Sequence, residues 1–143
     1  MLKIYQHPLS TFARRVRIML KEKNIDAESA ELIEVDMTAG AHKQQPYMAL
    51  NPYGRVPTLQ EDDFVLYEST AILDHLEATH PVPALVPTDA RGRTLVSMQT
   101  KLCDLQLARQ TGTIIFPKRF LPRDRWKEKA MAQAKQEIEQ HLE

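Results

Sequence analysis

A single cysteine, Cys103, occurs among the 143 residues of the chain. A lone cysteine excludes an intramolecular disulfide, a CxxC dithiol centre and a metal site built from several thiolates. The five histidines show neither the HxxxH nor the HExxH spacing that places two ligands on one helix face. The sequence therefore predicts no metal site and no dithiol redox chemistry.

An excess of positive or negative charge is also absent, and so are long apolar runs. The 19 Lys and Arg residues balance the 19 Asp and Glu residues, so the formal net charge is zero. Tracking a phosphate backbone requires a basic excess, and we therefore predict no nucleic-acid partner. No apolar run approaches the roughly 18 residues of a membrane helix, and the start MLKIYQHPLS lacks the layout of a signal peptide. We predict no membrane association and a cytoplasmic location.

Hydrophobic periodicity over residues 1–80 predicts an α/β domain. Residues 2–6 and residues around 31–35 have the pattern of strands, while 10–24 and 69–80 have the spacing of amphipathic helices. VPTLQEDDFVLYE adds a hairpin with an acidic turn, and a short helix precedes it. The βαβ unit is long enough for a parallel crossover, and the hairpin adds an antiparallel pair. The order βαβαββα therefore predicts a mixed four-stranded sheet with helices packed on it.

The pattern changes after residue 80. Three prolines between residues 81 and 87 predict a linker. Residues 88–143 have helical periodicity throughout and predict an all-helical second domain, in which Cys103 is expected to be a buried, small apolar residue. Two helices bury their apolar faces poorly against each other, so we expect this chain to contain only part of that domain. The predicted domains are thus 1–80 and 88–143, joined by 81–87.

The junction LYESTAIL, between the hairpin and the next helix, predicts a site for an amino-acid head group. The first N–H groups of a helix are unpaired and favour a carboxylate, to which the Ser69 hydroxyl adds a donor. Glu68 beside them would accept an ammonium group. The alternative interpretation is an ordinary helix start, with Ser69 as the capping residue and an acidic neighbour.

A proline stands at the beginning of the first hairpin strand, in NPYGRVPTL. If the Val56–Pro57 bond is cis, the chain turns tightly and leaves the N–H and C=O groups of Val56 outside the sheet. Those two groups could then pair with an extended peptide as one more strand. The alternative is a proline with a structural role only, because proline is tolerated at the first residue of a strand.

The first loop, YQHPLSTFARR, places Ser10 between a strand and a helix. A hydroxyl at a helix N-terminus can donate to an anion, and stabilising a thiolate would produce more of the nucleophile at neutral pH. Thr11 is a rival for this role, and a simple helix cap is the alternative. No His and Asp relay accompanies Ser10, so acyl transfer of the triad type is not predicted.

These segments, in this order, resemble cytosolic glutathione S-transferases, and most closely their serine-type branch with phi- and theta-like members. The resemblance lies within residues 1–87 and rests on HPLSTFARRVRIML, GAHKQQPYMALNPYGRVPTL and LYESTAILDHLEATHP. NP(Y/F)G-x-VP followed by ES-x-AI is more specific than either half alone. The resemblance implies a thioredoxin-like first domain, an all-helical second domain and a homodimer.

The resemblance also implies how the reactive part of glutathione, the co-substrate, would be held. Ser10 would hydrogen-bond the sulfur and stabilise the thiolate. The main chain of Val56, before a cis Pro57, would pair with the cysteinyl part of the tripeptide. The second substrate would be a hydrophobic electrophile bound against the helical domain.

The remaining candidates would hold the two ends of the tripeptide. By the same resemblance, Glu68 and Ser69 would bind the amino and carboxylate groups of the γ-glutamyl end, and His42 and Lys43 the glycyl carboxylate. Arg55 departs from the glutamine that is usual before the valine in the phi branch. Its cationic fork accepts no hydrogen bond but can contact a glutathione carboxylate.

The predicted activity is conjugation of glutathione to small apolar electrophiles, a detoxification reaction. The alternatives are a non-catalytic glutathione-binding module of the same fold, and a glutathione-dependent peroxidase or isomerase with the same site. The sequence leaves the electrophile open, and it leaves open whether Ser10 or Thr11 serves the thiol.

Overall fold

Four short strands form the centre of the first unit in the computed structural model, which describes residues 1–142. They pair in the order β2-β1-β3-β4, with β1 parallel to β2, and with β3 antiparallel to both β1 and β4. The mixed four-stranded sheet predicted from the sequence is confirmed. The strands are β1 (Leu2–Gln6), β2 (Ala30–Glu34), β3 (Thr58–Glu61) and β4 (Phe64–Tyr67).

Helix α1 (Thr11–Glu22) forms the crossover between the two parallel strands. Ser10 is its N-cap, and the Ser10 Oγ accepts a hydrogen bond from the Ala13 N–H at 3.1 Å. The apolar residues of the helix recur at spacings of three and four, so they share one face that packs on the sheet. The buried residues of this face are Ala13, Val16, Met19 and Leu20.

Two further helices complete the first unit, which ends at Leu85. Helix α2 (Tyr47–Leu50) is a single turn that precedes β3, and a 3₁₀ turn at Ala41–Lys43 lies just before it. Helix α3 (Ser69–Thr79) follows β4 and buries Ile72 and Leu76.

The core of the first unit lies between the sheet and the pair α1 and α3. The side chains at its centre, from β1, β3 and both helices, have no exposed surface, which gives the sheet a sealed apolar face. A second, smaller cluster contains Val35, Tyr47 and Val56, with Tyr5 packed against it. Successive side chains of a strand point to opposite faces, so Tyr5 and Ile4 serve different clusters. The sealed residues are Ile4, Val16, Leu59, Ile72 and Leu76.

The second unit begins at Val86 and is helical, as the sequence predicts. A π-helical turn at Cys103–Leu107 joins its first two helices, and a 3₁₀ turn at Arg123–Arg125 precedes the third. None of its described residues other than Met131 and Ala134 is buried. The helices are α4 (Ala90–Leu102), α5 (Ala108–Phe120) and α6 (Glu128–Leu142).

Cys103 is exposed, so the expectation of a buried cysteine is wrong. The physical reason is that small apolar side chains are buried only where a second layer covers them. Cys103 lies in the π-helical turn, where no described residue is buried. Across residues 1–142, no helix has the length and apolar character needed to span a membrane.

Candidate functional site

The Val56–Pro57 peptide bond is cis, as the sequence hypothesis requires. Strand β3 begins at Thr58, so Val56 lies ahead of the ladder that joins β3 to its neighbours. Within residues 1–142, neither the N–H nor the C=O of Val56 has a backbone hydrogen-bond partner. The main chain of Val56 is therefore available to an extended peptide, while its side chain is buried in the second cluster.

The strand register brings three segments to one end of the sheet. Tyr5 pairs with Thr58 across β1 and β3, and Thr58 pairs with Tyr67 across β3 and β4. These three residues form one row, and the chain leaves or enters the sheet just beyond it in all three strands. Three candidate segments follow or precede this row: the loop that carries Ser10, the Val56–Pro57 peptide, and the Glu68–Ser69 junction.

Ser10 occupies the point where the first loop becomes helix α1. Its oxygen accepts from the Ala13 N–H, which leaves its own O–H free to donate to a further group. Ser10 is partly exposed, and the N-terminus of a 12-residue helix places a partial positive charge beside it. Thr11 is the first residue of the helix and is exposed. The geometry therefore gives Ser10 the cap position and does not select between the two hydroxyls for a ligand.

Arg17 holds the first loop from the second turn of α1. Its guanidinium donates to the carbonyl oxygens of His7 at 3.4 Å and Pro8 at 3.1 Å, and also to the side chain of Gln6. Three anchors on one planar group restrict the loop that ends at Ser10. Sequence reasoning did not identify this role for Arg17.

Glu68 is the N-cap of helix α3, and Ser69 is its first helical residue, so the interpretation of Ser69 as the capping residue is wrong. Glu68 has φ +73° and ψ +113°, a conformation rare for a residue with a side chain. That conformation lets the chain pass from β4 into α3 without an intervening loop. The Glu68 side chain makes no capping hydrogen bond and is exposed, and Ser69 is buried. The first N–H groups of α3 are thus left without a side-chain cap, as an anion site requires.

His42 and Lys43 lie in the 3₁₀ turn beside the NPYG segment. The Lys43 Nζ donates to the carbonyl oxygen of Tyr53 at 2.8 Å, which joins the two segments. Gly54 has φ +53°, and a Cβ there would lie 2.4 Å from the His42 carbonyl oxygen, so the close approach requires glycine. The Nδ1 atom of His42 is buried and has no hydrogen-bond partner among the described residues.

The ring of Tyr53 connects this loop to the end of the sheet. It makes an edge-on contact with the ring of Tyr67, with centroids 5.7 Å apart. Tyr67 directly precedes Glu68. The loop with His42 and Lys43 is therefore attached to the same end of the sheet as the other candidate residues.

Arg55 directs its side chain to solvent and its carbonyl oxygen inward. The carbonyl accepts from the Tyr47 hydroxyl at 2.6 Å and from the Asn51 Nδ2 at 2.9 Å. Sequence reasoning missed Tyr47 and Asn51. The structure shows that both are buried, and buried polar side chains need hydrogen-bond partners. No group of three or more His, Cys, Asp or Glu side chains within residues 1–142 is arranged to hold a metal ion.

The fold and the site together identify the structural class of the first unit. A βαβαββα domain with this strand order and a cis proline at the start of β3 is a thioredoxin-like domain. Residues 4–84 match the family model described as the glutathione S-transferase N-terminal domain. The chain belongs to this family, and the resemblance recognised in its sequence is confirmed.

Comparison with individual proteins agrees with this assignment. A glutathione S-transferase of Silene vulgaris is 43% identical over 79 residues, which are 55% of this chain and 35% of that protein. The maleylacetoacetate isomerase of Pseudomonas aeruginosa is 43% identical over 89 residues, which are 62% of this chain and 42% of that protein. The chain thus spans less than half the length of these relatives.

Solved structures extend the similarity to both units of the chain. The crystal structure of a glutathione transferase homologue from sulfitobacter, with bound glutathione, superposes with a TM-score of 0.80 at 26% identity. That match covers 99% of this chain and 67% of the other. The thioredoxin-like fold and the helical segment that follows it therefore both have counterparts in glutathione transferases.

Proposed function

We propose that this chain binds reduced glutathione at the end of the sheet from which the Ser10 loop, the Val56–Pro57 peptide and the Glu68–Ser69 junction extend. The main chain of Val56, ahead of the cis proline, would pair with the cysteinyl part of the tripeptide. The observation that carries the proposal is the availability of both Val56 backbone groups next to the loop that ends at Ser10. Backbone pairing of this kind recognises an extended peptide through its main chain.

The two ends of glutathione would be held by charge. The uncapped N-terminus of α3, with Ser69 as its first residue, suits the γ-glutamyl carboxylate, and Glu68 suits the γ-glutamyl amino group. His42 and Lys43 would take the glycyl carboxylate. In support, the His42 Nδ1 is buried and has no hydrogen-bond partner within residues 1–142, and the Lys43 Nζ is held by the Tyr53 carbonyl in the NPYG turn.

Ser10 would stabilise the sulfur of glutathione as a thiolate. Its O–H is free to donate because its oxygen already accepts from the Ala13 N–H. A hydrogen bond to the charged form and the positive end of α1 both lower a thiol pKa, so more of the nucleophile is present at neutral pH. The thiolate would then attack a carbon of an apolar electrophile. A C–S bond forms, the leaving group departs with its bonding electrons, and the thiol proton goes to solvent.

The proposal also covers the oligomeric state, the cellular location and the physiological role. We place the activity in the cytoplasm as detoxification by a homodimer, with no metal cofactor. This part of the proposal rests on the resemblance of residues 1–87 to cytosolic glutathione S-transferases, and residues 4–84 match the N-terminal domain of that family.

The proposed role of Ser10 is tested by the change Ser10→Ala. We expect conjugation of glutathione to an aryl halide to fall at least tenfold, consistent with the roughly 100- to 1,000-fold loss when one anion-stabilising donor is removed from an enzyme. The affinity for glutathione should change little, because the other contacts remain. Steady-state rates at saturating glutathione and calorimetric binding measure the two quantities.

Thr11→Ala is the matched control for this experiment. It removes a neighbouring hydroxyl at the same helix end and should leave the rate unchanged. Full turnover in Ser10→Ala together with a large loss in Thr11→Ala would mean that Thr11, and not Ser10, stabilises the thiolate. Full turnover in both variants would mean that neither hydroxyl takes part in catalysis.

A second candidate function is glutathione-dependent isomerisation. The specific observation in its favour is 43% identity with the Pseudomonas aeruginosa isomerase over 89 residues. Both reactions need the thiolate, and they differ only in whether it is released again from the adduct. A panel with an aryl halide and a maleyl-substituted diketo acid distinguishes them. Retention on immobilised glutathione without turnover of either substrate would identify a non-catalytic binding module.

A further inference from the structure

The peptide group before Val56 is held by a buried polar network. The Tyr47 hydroxyl lies 2.6 Å from the Arg55 carbonyl oxygen and 2.9 Å from the Thr58 Oγ1. The Asn51 Nδ2 lies 2.9 Å from the same carbonyl and 3.2 Å from the same Oγ1. Tyr47 is 6% exposed, Asn51 2% and Thr58 0%, so water does not compete for these contacts.

The chemistry of the groups fixes the direction of every hydrogen bond in this network. The Arg55 carbonyl can only accept, so the single phenolic proton of Tyr47 must go to it. The Thr58 hydroxyl must then donate to the Tyr47 oxygen, and it accepts from Asn51. The two amide protons of Asn51 serve the Arg55 carbonyl and Thr58. A chain of donors that all run toward one carbonyl strengthens each of its members.

Holding the Arg55 carbonyl also orients the N–H of Val56, because both belong to one planar peptide group. In a trans peptide the C=O and the N–H point in opposite directions. The carbonyl points inward to Tyr47 and Asn51, so the N–H points away from them. This N–H is one of the two groups that the proposed glutathione site uses.

We propose that Tyr47 is a positioning residue for glutathione, which acts through the Arg55–Val56 peptide group and touches no ligand atom. This inference rests on the proposed function. Burial raises the pKa of the Tyr47 phenol, so Tyr47 keeps its proton across the neutral range and remains a donor. Its ring also packs edge-on against Tyr5, with centroids 5.9 Å apart, and this contact fixes the position from which the hydroxyl donates.

Tyr47 permits a cleaner test than its partner Asn51. The Asn51 Oδ1 also accepts from the Tyr53 N–H at 3.0 Å, so a change at Asn51 disturbs the NPYG turn itself. Tyr47→Phe removes one hydroxyl and keeps the ring, its packing and the course of the backbone. Asn51 still holds the carbonyl from one side, and the peptide group therefore gains freedom without being released.

The experiment measures the affinity of the 143-residue chain for glutathione and for S-methylglutathione by calorimetry. S-methylglutathione has no ionisable thiol, so its affinity reports the peptide contacts and not the Ser10 contact. We expect Tyr47→Phe to raise both dissociation constants by about three- to tenfold, the loss associated with one hydrogen bond. Turnover at saturating glutathione should stay within about twofold. The rise should therefore appear in KM and not in kcat.

Two control variants separate orientation from general loss of stability. Tyr5→Phe removes the hydroxyl of the other ring in the pair, which donates to Gln60 at 2.9 Å and does not touch Arg55. We expect it to leave both dissociation constants unchanged. Thr58→Val loosens the same buried cluster but leaves the Tyr47 proton on the Arg55 carbonyl. It should raise the dissociation constants less than Tyr47→Phe does.

The outcomes are distinguishable. Equal dissociation constants for wild type and Tyr47→Phe, with glutathione bound by both, would overturn the inference and leave the proposed function standing. A rise in Thr58→Val as large as that in Tyr47→Phe would also overturn it, since stability would then explain the effect. If the wild-type chain binds neither ligand, the proposed function fails and the inference fails with it.

Discussion

The two units of the chain differ in what their apolar residues achieve. In the first unit, α1 and α3 cover one sheet face, and the side chains at the centre of this core have no exposed surface. In the second unit, long apolar side chains of α4, α5 and the π-helical turn are between 48% and 65% exposed. The comparison shows that periodicity specifies a helix, whereas burial needs a second layer. The exposed side chains are Leu95, Met98, Leu102, Leu105, Phe116 and Phe120.

The first unit is also the one whose elements follow the sequence most closely. Strand β1 matches the predicted 2–6, and helices α1 and α3 lie within two residues of 10–24 and 69–80. These elements are set by local rules, namely alternation in a strand, three- and four-residue spacing in a helix, and turn residues between them. The hairpin agrees as well, because Asp62 in its acidic turn adopts φ +54°, which aspartate tolerates.

The parts of the site that the sequence did not predict depend on contacts between distant residues. Tyr47 and Thr58 meet across 11 positions, and no periodic pattern signals that pairing. The error at Ser69 has a different origin. The standard rule places a serine at the N-cap, but here Glu68, with its positive φ, occupies the cap and Ser69 becomes the first helical residue. Special backbone conformations at a site are where local rules are expected to fail.

The first prediction breaks an ion pair in the sealed unit and should have the largest effect. The Lys23 Nζ lies 2.5 Å from the Glu77 Oε2 and donates to the Pro83 carbonyl at 2.8 Å, and the Lys23 side chain is 0% exposed. Lys23→Met leaves the Glu77 carboxylate in a largely buried position without this cation. We expect the free energy of unfolding to fall by about 3–5 kcal/mol. Urea denaturation with segment-resolved hydrogen exchange in α1 and α3 measures the loss.

Lys135→Met is the matched control in the second unit. The Lys135 Nζ lies 3.7 Å from the Glu139 Oε1, and the two side chains are 73% and 60% exposed. An exposed pair four residues apart is worth no more than roughly 0.5 kcal/mol. Similar losses of unfolding free energy in Lys23→Met and Lys135→Met would contradict the contrast between the buried core of the first unit and the exposed side chains of the second.

The second prediction compares two leucines and should have a smaller effect. Leu76→Ala opens a cavity in the sealed core and should lower the free energy of unfolding by about 2–5 kcal/mol. Leu105→Ala removes a side chain that is 65% exposed and should change it by less than about 0.5 kcal/mol. Trp126 is the only tryptophan, so its fluorescence follows the second unit by itself.

A large loss of unfolding free energy in Leu105→Ala would mean that another surface covers this face of the second unit. The loss would then depend on protein concentration if a second copy of the chain supplies the cover, because association adds to apparent stability by mass action. Repeating the denaturation at several concentrations decides this. An effect of Leu105→Ala that is large at every concentration would contradict the exposed position of this side chain.

The third prediction uses one glycine from each unit and has the smallest expected effects, with opposite signs. Gly54 has φ +53° and a close approach to the His42 carbonyl, so Gly54→Ala should destabilise the first unit by about 1–3 kcal/mol. Gly112 lies within α5, and apart from its chain neighbours and the nearby backbone of that helix, no atom of residues 1–142 lies within 4 Å of a Cβ placed there. Gly112→Ala should therefore stabilise the second unit by about 0.5–1 kcal/mol, because alanine loses less backbone freedom on forming a helix.

Thermal unfolding followed by circular dichroism and by Trp126 fluorescence assigns each change to its unit. A destabilised Gly112→Ala variant would mean that a group outside the described contacts occupies the space beside α5, and the open character of the second unit would then be wrong. A neutral Gly54→Ala variant would mean that the His42 turn and the NPYG loop move apart without cost. The link between the proposed glycyl-carboxylate residues and the Val56 peptide would then be loose. The pair of variants therefore tests, with one kind of substitution, both the tight packing of the site and the openness of the helical unit.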